Sequence, residues 1–495
     1  MNAREHHSGP VAWAPRVPTG RGRAGVRGVG RLKSEARGIL RQLPSVEWVV
    51  AQVEARGRTG AVGRPVLVQV AREVLAERRS ALRGGAAEDV DREELVQAVE
   101  SRVLATTHPS LRRVVNATGV LLHTNLGRSP LAVEARQAVL EAAGTCNLEL
   151  DLASGSRGSR QDHVAELLRR LTGADGALVV NNNAAGVFLT LAALAAGREV
   201  VVARSEQVEI GGSFRMPEVM RAAGVRLVEV GTTNRVRLAD YEAALTADTA
   251  LLLKVHRSNF RLVGFVADVS VTELAQLARR AGVPLVYDLG SGALVDLRSR
   301  GLPYEPTVQE AVREGADLVL FSADKLLGGP QAGVLVGRVD LLDVLRGHPL
   351  YRVVRIDKLD LAALEATLRL YLDPERAWER VPVLRMLGAS VASLRARAEQ
   401  LAHRAARLGA QAQAVACESE AGGGSLPGSA LPSWGVRLRH PSLSAQALSA
   451  ALRAGDPPVL TRVQDEAVLV DLRSVLPEDD AVLEGSLAKV LARYA

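Results

Sequence analysis

The sequence predicts an α/β protein whose central sheet is mostly parallel. From residue 177 onward, short runs rich in valine and leucine alternate with stretches at helical spacing, an order typical of a parallel sheet with helices on both faces. The composition, 47% hydrophobic and 24% charged, is that of a globular protein. No uninterrupted apolar run reaches the roughly 18 residues of a membrane helix. We therefore expect a cytoplasmic protein without membrane spans.

The cysteine count and the charge distribution indicate which kinds of site the chain contains. The two cysteines and nine histidines form no cluster with the spacing of metal ligands, so neither a disulfide framework nor a metal site is expected. Residues 1–36 are predicted to be a basic, disordered arm, because the net charge of +7 over residues 1–41 equals that of the whole chain. Incidental contact of this arm with an RNA backbone is compatible with its charge.

Three helices are predicted to form a separate module at residues 37–107. Ser45 is a candidate N-cap for the first helix, and Pro65 begins the second. The third spans about residues 90–106, with apolar residues four apart. No catalytic combination of residues is present in this module.

The elements of the predicted large domain, residues 108–375, follow from alternation of strand and helix patterns. Helices are predicted at Ala184–Ala196, Leu238–Leu245, Val271–Ala281 and Leu359–Leu372. Strands are predicted at Ala177–Val180, Glu199–Ala203, Val225–Val230, Ala250–Val255, Pro284–Leu289, Asp317–Phe321 and Gly333–Val336.

Residues 376–495 are predicted to be a smaller α+β domain. Strands are expected at Val459–Val463 and Ala467–Leu472, joined by a hairpin turn. The glycine-rich stretch Gly422–Ser425 is expected to be a loop.

Lys325 is the strongest candidate for a catalytic residue. Only five of the 62 basic residues are lysines, so a retained lysine is a candidate for chemistry that arginine cannot perform, such as condensation with the aldehyde of pyridoxal 5'-phosphate (PLP). Lys325 follows the apolar strand Asp317–Phe321 and precedes a Gly-Gly-Pro turn. The alternative is an ordinary surface lysine. Lys254, at the end of another strand, is the main rival.

The neighbouring strands supply candidates for the other contacts that PLP needs. Asp288, at the end of an apolar strand, is a candidate partner for the pyridine nitrogen. Asn182, Asn183 and Ala184 open a helix, whose free amides and dipole favour a phosphate. Ser322 can add a hydroxyl to the same phosphate, and His256 is a candidate for the surface against the ring. The alternatives are helix caps for Asp288 and the asparagines, the end of a strand for Ser322 and a structural histidine.

The segments that contain these residues resemble bacterial selenocysteine synthase, the L-seryl-tRNA(Sec) selenium transferase family. The likeness runs from about residue 40 to the C-terminus. Its most specific part is the lysine motif, in which this chain has Ala323 where glycine is usual. The matching stretches are Asn116–Arg128, Gly155–Arg160, Lys254–Phe265, Val286–Gly292 and Ser322–Gly333.

The resemblance implies an aspartate-aminotransferase-like (PLP fold type I) large domain with Lys325 bound to PLP. It implies conversion of L-seryl-tRNA(Sec) to L-selenocysteinyl-tRNA(Sec) by elimination of water and addition of selenium from selenophosphate. It also implies that Arg128, Arg352 and Arg355 bind the selenium donor, that residues 37–107 bind the tRNA, and that the protein is a homo-oligomer, a ring of dimers. For Arg352 and Arg355 the alternative is a solvated helix edge.

Two other functions remain open at this level. A PLP-dependent lyase acting on a small amino acid, including a phosphorylated one, would use the same Lys325 and Asp288. A tRNA-binding protein without chemistry is the second, although the lysine, the aspartate and the Asn-rich loop speak against it.

Overall fold

The chain folds into two compact units, Met1–Arg112 and Arg113–Ala495. The predicted basic arm, residues 1–36, lies outside the described residues. The structure, a computed structural model, describes residues 40–57, 62–84, 89–107, 109–210 and 214–494.

The first unit is helical where it is described. Ser45 is the N-cap of its first helix, and its Oγ accepts a hydrogen bond from the backbone N–H of Trp48 at 3.1 Å. Apolar residues from three helices share one core, which confirms the predicted helices. These helices are α1 (Val46–Arg56), α2 (Arg64–Gly84) and α3 (Arg92–Thr107).

The strands of the second unit, within the described part of the chain, form two large sheets and one two-stranded ribbon. They are β1 (Val115–Ala117), β2 (Gly176–Val180), β3 (Glu199–Ala203), β4 (Glu209–Ile210), β5 (Phe214–Arg215), β6 (Arg226–Val230), β7 (Thr249–Val255), β8 (Leu285–Gly290), β9 (Leu318–Ser322), β10 (Gly333–Gly337), β11 (Gln411–Glu420), β12 (Ala430–Arg439), β13 (Val459–Gln464) and β14 (Ala467–Asp471).

Helices pack around these sheets. They are α4 (Val133–Ala142), α5 (Asp162–Thr172), α6 (Asn183–Ala195), α7 (Met216–Ala222), α8 (Leu238–Ala244), α9 (Val271–Ala281), α10 (Val308–Arg313), α11 (Val339–Gly347), α12 (Pro349–Val353), α13 (Lys358–Leu370), α14 (Pro374–Arg380), α15 (Pro382–Gly388), α16 (Val391–Arg407), α17 (Ala445–Arg453) and α18 (Asp480–Arg493). Short 3₁₀ helices lie at Thr124–Leu126, Arg204–Glu206, Leu297–Arg300, Leu472–Ser474 and Pro477–Asp479.

The central sheet has the strand order β2-β10-β9-β8-β7-β3-β6 among the described residues. Its strands pair in parallel from β9 to β6, whereas β10 is antiparallel to both of its neighbours. Apolar residues cover both faces of the sheet in two separate cores. Each predicted strand is present with its ends within one residue of the prediction. The mostly parallel sheet is therefore confirmed.

The direction of these strands decides where loops meet. Because β2 and β9 are both antiparallel to β10, they run in the same direction. The carboxyl ends of β2, β7, β8 and β9 therefore lie at one edge of the sheet. In α/β sheets this edge is where ligands bind.

The second sheet has the order β1-β13-β14-β12-β11 and its own apolar core. The predicted strands β13 and β14 are present, with positive φ at Asp465 and Glu466 in the turn between them. The short strand β1 pairs with β13, so residues 115–117 join a sheet that otherwise comes from the C-terminal part of the chain. The predicted domain boundaries at 107 and 375 stay predictions.

The long hairpin β11–β12 is absent from the sequence prediction. Ten consecutive residue pairs join its strands, but β11 is rich in Gln, Glu, Ala and Ser, which have low β-propensity. Its connection contains Gly422–Ser425, the stretch predicted to be a loop. None of the helices in the described ranges combines the length and the apolar composition of a membrane span.

Candidate active site

Lys325 lies in a buried turn that directly follows β9. Its side chain is buried, with 4% of the residue exposed, and burial lowers the pKa of the amine, although Asp288 acts in the opposite direction. A lowered pKa increases the fraction of neutral amine, the form that attacks a carbonyl. Lys325 is therefore suited to nucleophilic or acid–base chemistry.

The turn around Lys325 is fixed by backbone contacts. The N–H of Leu326 donates to the carbonyl of Ser291 at 3.1 Å, and the hydroxyl of Tyr371 donates to the carbonyl of Leu327 at 2.7 Å. Gly328 has φ +77°, and a Cβ at this position would lie 2.2 Å from Cγ1 of Val381. Glycine is thus required at this point of the motif, both for its conformation and for space.

Asp288 lies near the carboxyl end of β8, close to Lys325. The point where a Cβ would stand at Gly290 is 3.8 Å from Nζ of Lys325 and 3.9 Å from Oδ1 of Asp288, so the amine and the carboxylate face the same glycine. Burial raises the pKa of Asp288, against the opposing effects of Asn183 and Lys325. A buried carboxylate of this kind needs a cationic or hydrogen-bonding partner.

The Asn-rich loop follows β2 and begins α6. Oδ1 of Asn182 accepts from the N–H of Ala185 at 2.8 Å, which makes Asn182 the N-cap. Nδ2 of Asn183 donates to Oδ1 of Asp288 at 2.8 Å. The N–H groups of Asn183 and Ala184 belong to the first turn of α6, where a helix leaves its amides without intrahelical partners. The loop therefore contacts the Asp288 carboxylate and offers an anion site next to it.

Gly333 explains why the lysine motif and the Asn-rich loop lie together. A Cβ at this position would stand 2.2 Å from the carbonyl oxygen of Asn182. Only glycine permits this approach between β10 and the loop. Ser322, which ends β9 and pairs with Gly333, is buried beside it.

His256 lies immediately after β7, adjacent to Asp288. Its backbone N–H donates to the Asp288 carbonyl at 2.9 Å, and its Nε2 is 3.3 Å from Oε1 of the buried Glu305. The structure thus places the predicted ring-surface histidine beside the predicted cofactor carboxylate.

Lys254, the alternative candidate for the reactive lysine, forms a buried ion pair with Glu206. Its Nζ donates to Glu206 and to the carbonyl of Val269, both at 2.9 Å. Although burial lowers the pKa of Lys254, the carboxylates of Glu206 and Asp268 outweigh this effect and leave the pKa raised. The two lysines therefore differ in the sign of their pKa shifts, which favours Lys325 as the reactive amine.

The three predicted donor-binding arginines occupy different environments. Nη1 of Arg128 donates to Oδ2 of Asp324 at 2.6 Å, directly beside Lys325. Arg355 pairs with Val180 at the end of β2, and its Nη1 is 3.4 Å from Oε1 of Glu149. Arg352 lies on the short helix α12 with an exposed side chain. The structure thus brings Arg128 and Arg355 to the sheet edge that holds the lysine.

A glycine-rich loop, residues 421–429 between β11 and β12, covers Lys325. The point of a Cβ at Gly424 lies 3.3 Å from Nζ of Lys325 and 3.2 Å from Oγ of Ser258. A cleft of about 810 Å³ extends from Ser258 along this loop to the outer face of β11. Neither the loop nor Ser258 was identified from the sequence as part of the site. The run of three glycines was the available signal, but nothing local connects it to a lysine a hundred residues earlier.

Comparison with known proteins identifies the family. The sequence profile described as "SelA: L-seryl-tRNA selenium transferase" matches residues 114–476. The chain belongs to the SelA family. It is 50% identical over 461 residues to the L-seryl-tRNA(Sec) selenium transferase of Moorella thermoacetica, covering 92% of this chain and 98% of that protein. The enzyme of the same name from Carboxydothermus hydrogenoformans is 45% identical over 445 residues, 89% and 95% of the two chains.

A solved structure supports the fold. D-Glucosaminate-6-phosphate ammonia-lyase aligns with a TM-score of 0.55 and 23% identity, covering 77% of this chain and 96% of that one. At this identity the likeness concerns the fold alone. The family and the α/β fold class predicted from the sequence are therefore confirmed for this member of the SelA family, as is its class as an enzyme.

The residues of this SelA-family site fit PLP. Several buried polar atoms around Lys325 and Asp288 have no hydrogen-bond partner among the described residues, as a polar ligand would require. A pyridinium can pair with Asp288, and a phosphate can accept hydrogen bonds at the start of α6. The unpartnered atoms are Oδ1 of Asn183, Oγ of Ser291 and Oγ of Ser425.

Proposed function

We propose that this protein converts L-seryl-tRNA(Sec) into L-selenocysteinyl-tRNA(Sec), with PLP as cofactor and selenophosphate as selenium donor. The observation that carries the proposal is a buried lysine with a lowered pKa beside a buried aspartate, in a chain of the SelA family. Aminoacyl-tRNAs are used in the cytoplasm, so we propose that the protein acts there.

In this proposal the chain holds PLP through contacts at one sheet edge. Lys325 provides the amine, Asp288 faces the pyridine nitrogen, and His256 lies against the ring. The amides of Asn183 and Ala184, together with the N-cap Asn182 and the hydroxyl of Ser322, hold the phosphate. When bound, PLP supplies an electron sink for the α-carbon of the seryl group.

Lys325 is proposed to act as the base and acid of the reaction. The lowered pKa of its amine increases the neutral fraction, which can accept the α-proton of the seryl group and return a proton later. The glycine-rich loop covers the amine, so water has restricted access to the reacting atoms. Both features depend on the burial of Lys325.

Asp288 is proposed to keep the ring nitrogen protonated. Burial raises the pKa of this carboxyl, and a cation at hydrogen-bonding distance would lower it again. The hydrogen bond from Asn183 supports the charged form in the same way. Asn183 thus helps Asp288 remain an anion until the cofactor arrives.

Arg128, Arg352 and Arg355 are proposed to bind the anionic selenium donor. Guanidinium groups match phosphate-like oxygens in charge and geometry. Arg128 and Arg355 already make ion pairs with Asp324 and Glu149, so a donor would compete with these carboxylates for them.

The helical unit, residues 37–107, is proposed to bind the tRNA. Arg72, Arg79 and Arg83 are exposed on α2. Their spacing of seven and four residues places them on one face of the helix. Aligned arginines of this kind contact a phosphate backbone. Replacing all three with alanine should weaken tRNA binding and reduce its salt dependence.

We also propose a homo-oligomer. Exposed apolar residues lie on and after α4, including Leu140 with 70% and Leu152 with 73% of the residue exposed. Leu152 follows closely on Glu149, the partner of Arg355, so this surface adjoins the candidate site. Leu140→Asp combined with Leu152→Asp should give a smaller species in light scattering coupled to size exclusion.

The function is tested by incubating the full-length protein with PLP, seryl-tRNA(Sec) and selenophosphate. The expected product is selenocysteinyl-tRNA(Sec), with no product from seryl-tRNA of another acceptor. Release of ammonia from free serine or phosphoserine, without any tRNA product, would favour the small-molecule lyase instead. Absence of any bound PLP in the purified protein would contradict both.

A further inference from the structure

We infer that Glu305 is a positioning residue that holds the glycine-rich loop over Lys325 and orients the imidazole of His256 at the same time. The inference rests on the proposed function, because it concerns the site where PLP is proposed to bind. It assigns a role to a residue outside the lysine motif, the Asn-rich loop and the arginines.

The two carboxylate oxygens of Glu305 contact two different elements. Oε2 accepts a hydrogen bond from the backbone N–H of Leu426 at 3.3 Å. Oε1 lies 3.3 Å from Nε2 of His256, which is within ion-pair distance, although neither atom makes a hydrogen bond among the described residues. Only 2% of Glu305 is exposed. A buried carboxylate with these two neighbours therefore links the loop to the strand end that carries His256.

The backbone of Glu305 is fixed independently of the loop. Pro303 and Pro306 flank it, and prolines fix their own φ and restrict the residue before them to extended conformations. Thr307 then forms a capping box with Glu310 at the start of α10. Thr307 also bridges Ala293, which follows β8. The position of Glu305 is therefore set by contacts other than those with the glycine-rich loop and His256.

The loop needs such a contact to keep its conformation. Gly422, Gly423 and Gly424 have positive φ, and so does Leu426, at 50°. A non-glycine residue adopts this conformation rarely and at a cost. Leu426 is nonetheless buried, with 3% of the residue exposed, and its N–H points at Glu305. Loss of the carboxylate would leave this N–H unpaired and release the loop from Lys325.

The contact with His256 has a separate consequence. The Glu305 carboxylate, 3.3 Å from Nε2, attracts this edge of the imidazole and so limits the rotation of the ring. The His256 backbone is bonded to the Asp288 carbonyl at 2.9 Å. Glu305 therefore influences the orientation of the imidazole relative to the Asp288 carboxylate, which is proposed to pair with the pyridine nitrogen.

The experiment compares Glu305→Ala and Glu305→Gln in the full-length protein, with Glu314→Gln at the C-cap of α10 as the matched control. Hydrogen exchange of residues 421–429 is measured before PLP is added. The Ala variant should exchange about tenfold faster than the wild type, because a hydrogen bond to a carboxylate is lost. The Gln variant should stay within about threefold, because its amide oxygen still accepts from Leu426. The control should match the wild type.

The second measurement is the visible absorbance and circular dichroism of the protein after PLP is added. The Ala and Gln variants should both change the dichroism, because a neutral side chain no longer holds the imidazole through charge. Unchanged exchange in the Ala variant, or unchanged dichroism in both, would overturn the inference. If Glu305→Ala fails to fold, Glu305→Asp replaces it: the shorter side chain cannot reach both partners, so faster exchange is expected and wild-type exchange would overturn the inference.

These measurements can contradict the proposed function or the proposed role of Glu305 independently of each other. Hydrogen exchange without PLP tests the contact between Glu305 and the loop whether or not the cofactor binds. A wild-type protein that binds no PLP contradicts the proposed function alone. Normal PLP binding with unchanged loop exchange in the Ala variant contradicts the role of Glu305 alone.

Discussion

Nδ2 of Asn183 donates a 2.8 Å hydrogen bond to Oδ1 of Asp288, two side chains that are 105 residues apart in the sequence. One belongs to the first turn of α6 and the other to the end of β8. The bond joins the proposed phosphate site to the proposed partner of the ring nitrogen. If PLP binds as proposed, this hydrogen bond couples the two ends of its site.

Asn183→Ala should weaken PLP binding by about tenfold or more, because a hydrogen bond to a charged group contributes roughly 1.5–3 kcal/mol. Without this donor the pKa of Asp288 rises further above its usual range, since the Asn183 bond lowers it. The charged form, which pairs with a pyridinium, is then less favoured. Fluorescence titration with PLP measures the change. Asn181→Ala, an exposed neighbour in the same loop, is the control, and equal loss in both variants would contradict the prediction.

Lys325→Met and Lys254→Met should have opposite effects on the absorbance of bound PLP and on the stability of the protein. Lys325→Met should abolish the visible absorbance of bound PLP. It should also stabilise the cofactor-free protein at neutral pH, because a lysine whose pKa falls on folding costs stability at pH values below that lowered pKa. This cost diminishes as pH rises toward 10.5, the ordinary value.

Lys254→Met should keep the absorbance but lower the free energy of unfolding by about 3 kcal/mol or more, since it leaves the buried Glu206 carboxylate without its partner. Thermal and urea unfolding, with absorbance spectra of the same samples, test both variants. A visible band in Lys325→Met would exclude this lysine as the attachment point.

Arg128→Ala should move the pH profile of PLP incorporation to higher pH. The neutral amine of Lys325 is the reactive form, so the rate rises with pH until the amine is deprotonated. Arg128 lowers the pKa of Lys325, and its removal therefore raises that pKa. The rate of appearance of the visible band is measured from neutral to alkaline pH. Arg157→Ala, an exposed arginine paired with Glu149, should leave the profile in place; a shift toward lower pH in Arg128→Ala would refute the assignment.

Gly333→Ala should disrupt the Asn-rich loop, because the new Cβ would stand 2.2 Å from the carbonyl oxygen of Asn182. The expected result is loss of PLP binding with a lower melting temperature. Gly347→Ala is the matched control: it adds the same methyl group at the end of α11, where no atom lies within 4 Å. If both variants bind PLP equally, the close approach of β10 to the loop is not required.

The sequence by itself determined the strands of the large sheet and the candidate for a reactive lysine, Lys325. Strands buried on both faces leave a continuous apolar pattern, which is why the ends of the seven described strands of the central sheet could be predicted within one residue. The motif around Lys325 and its resemblance to a family predicted the chemistry. Both signals are local in the chain.

Only the tertiary structure decided which residues meet Lys325. Strand order and direction bring the Asn-rich loop, Asp288 and His256 to one edge, and the long hairpin β11–β12 carries the glycine-rich loop over the amine. Lys254 and Lys325 look alike in sequence, but nearby carboxylates outweigh burial and raise the pKa of Lys254, whereas burial lowers the pKa of Lys325. A pKa depends on charges and solvent close in space, and the order of residues along the chain does not specify those neighbours.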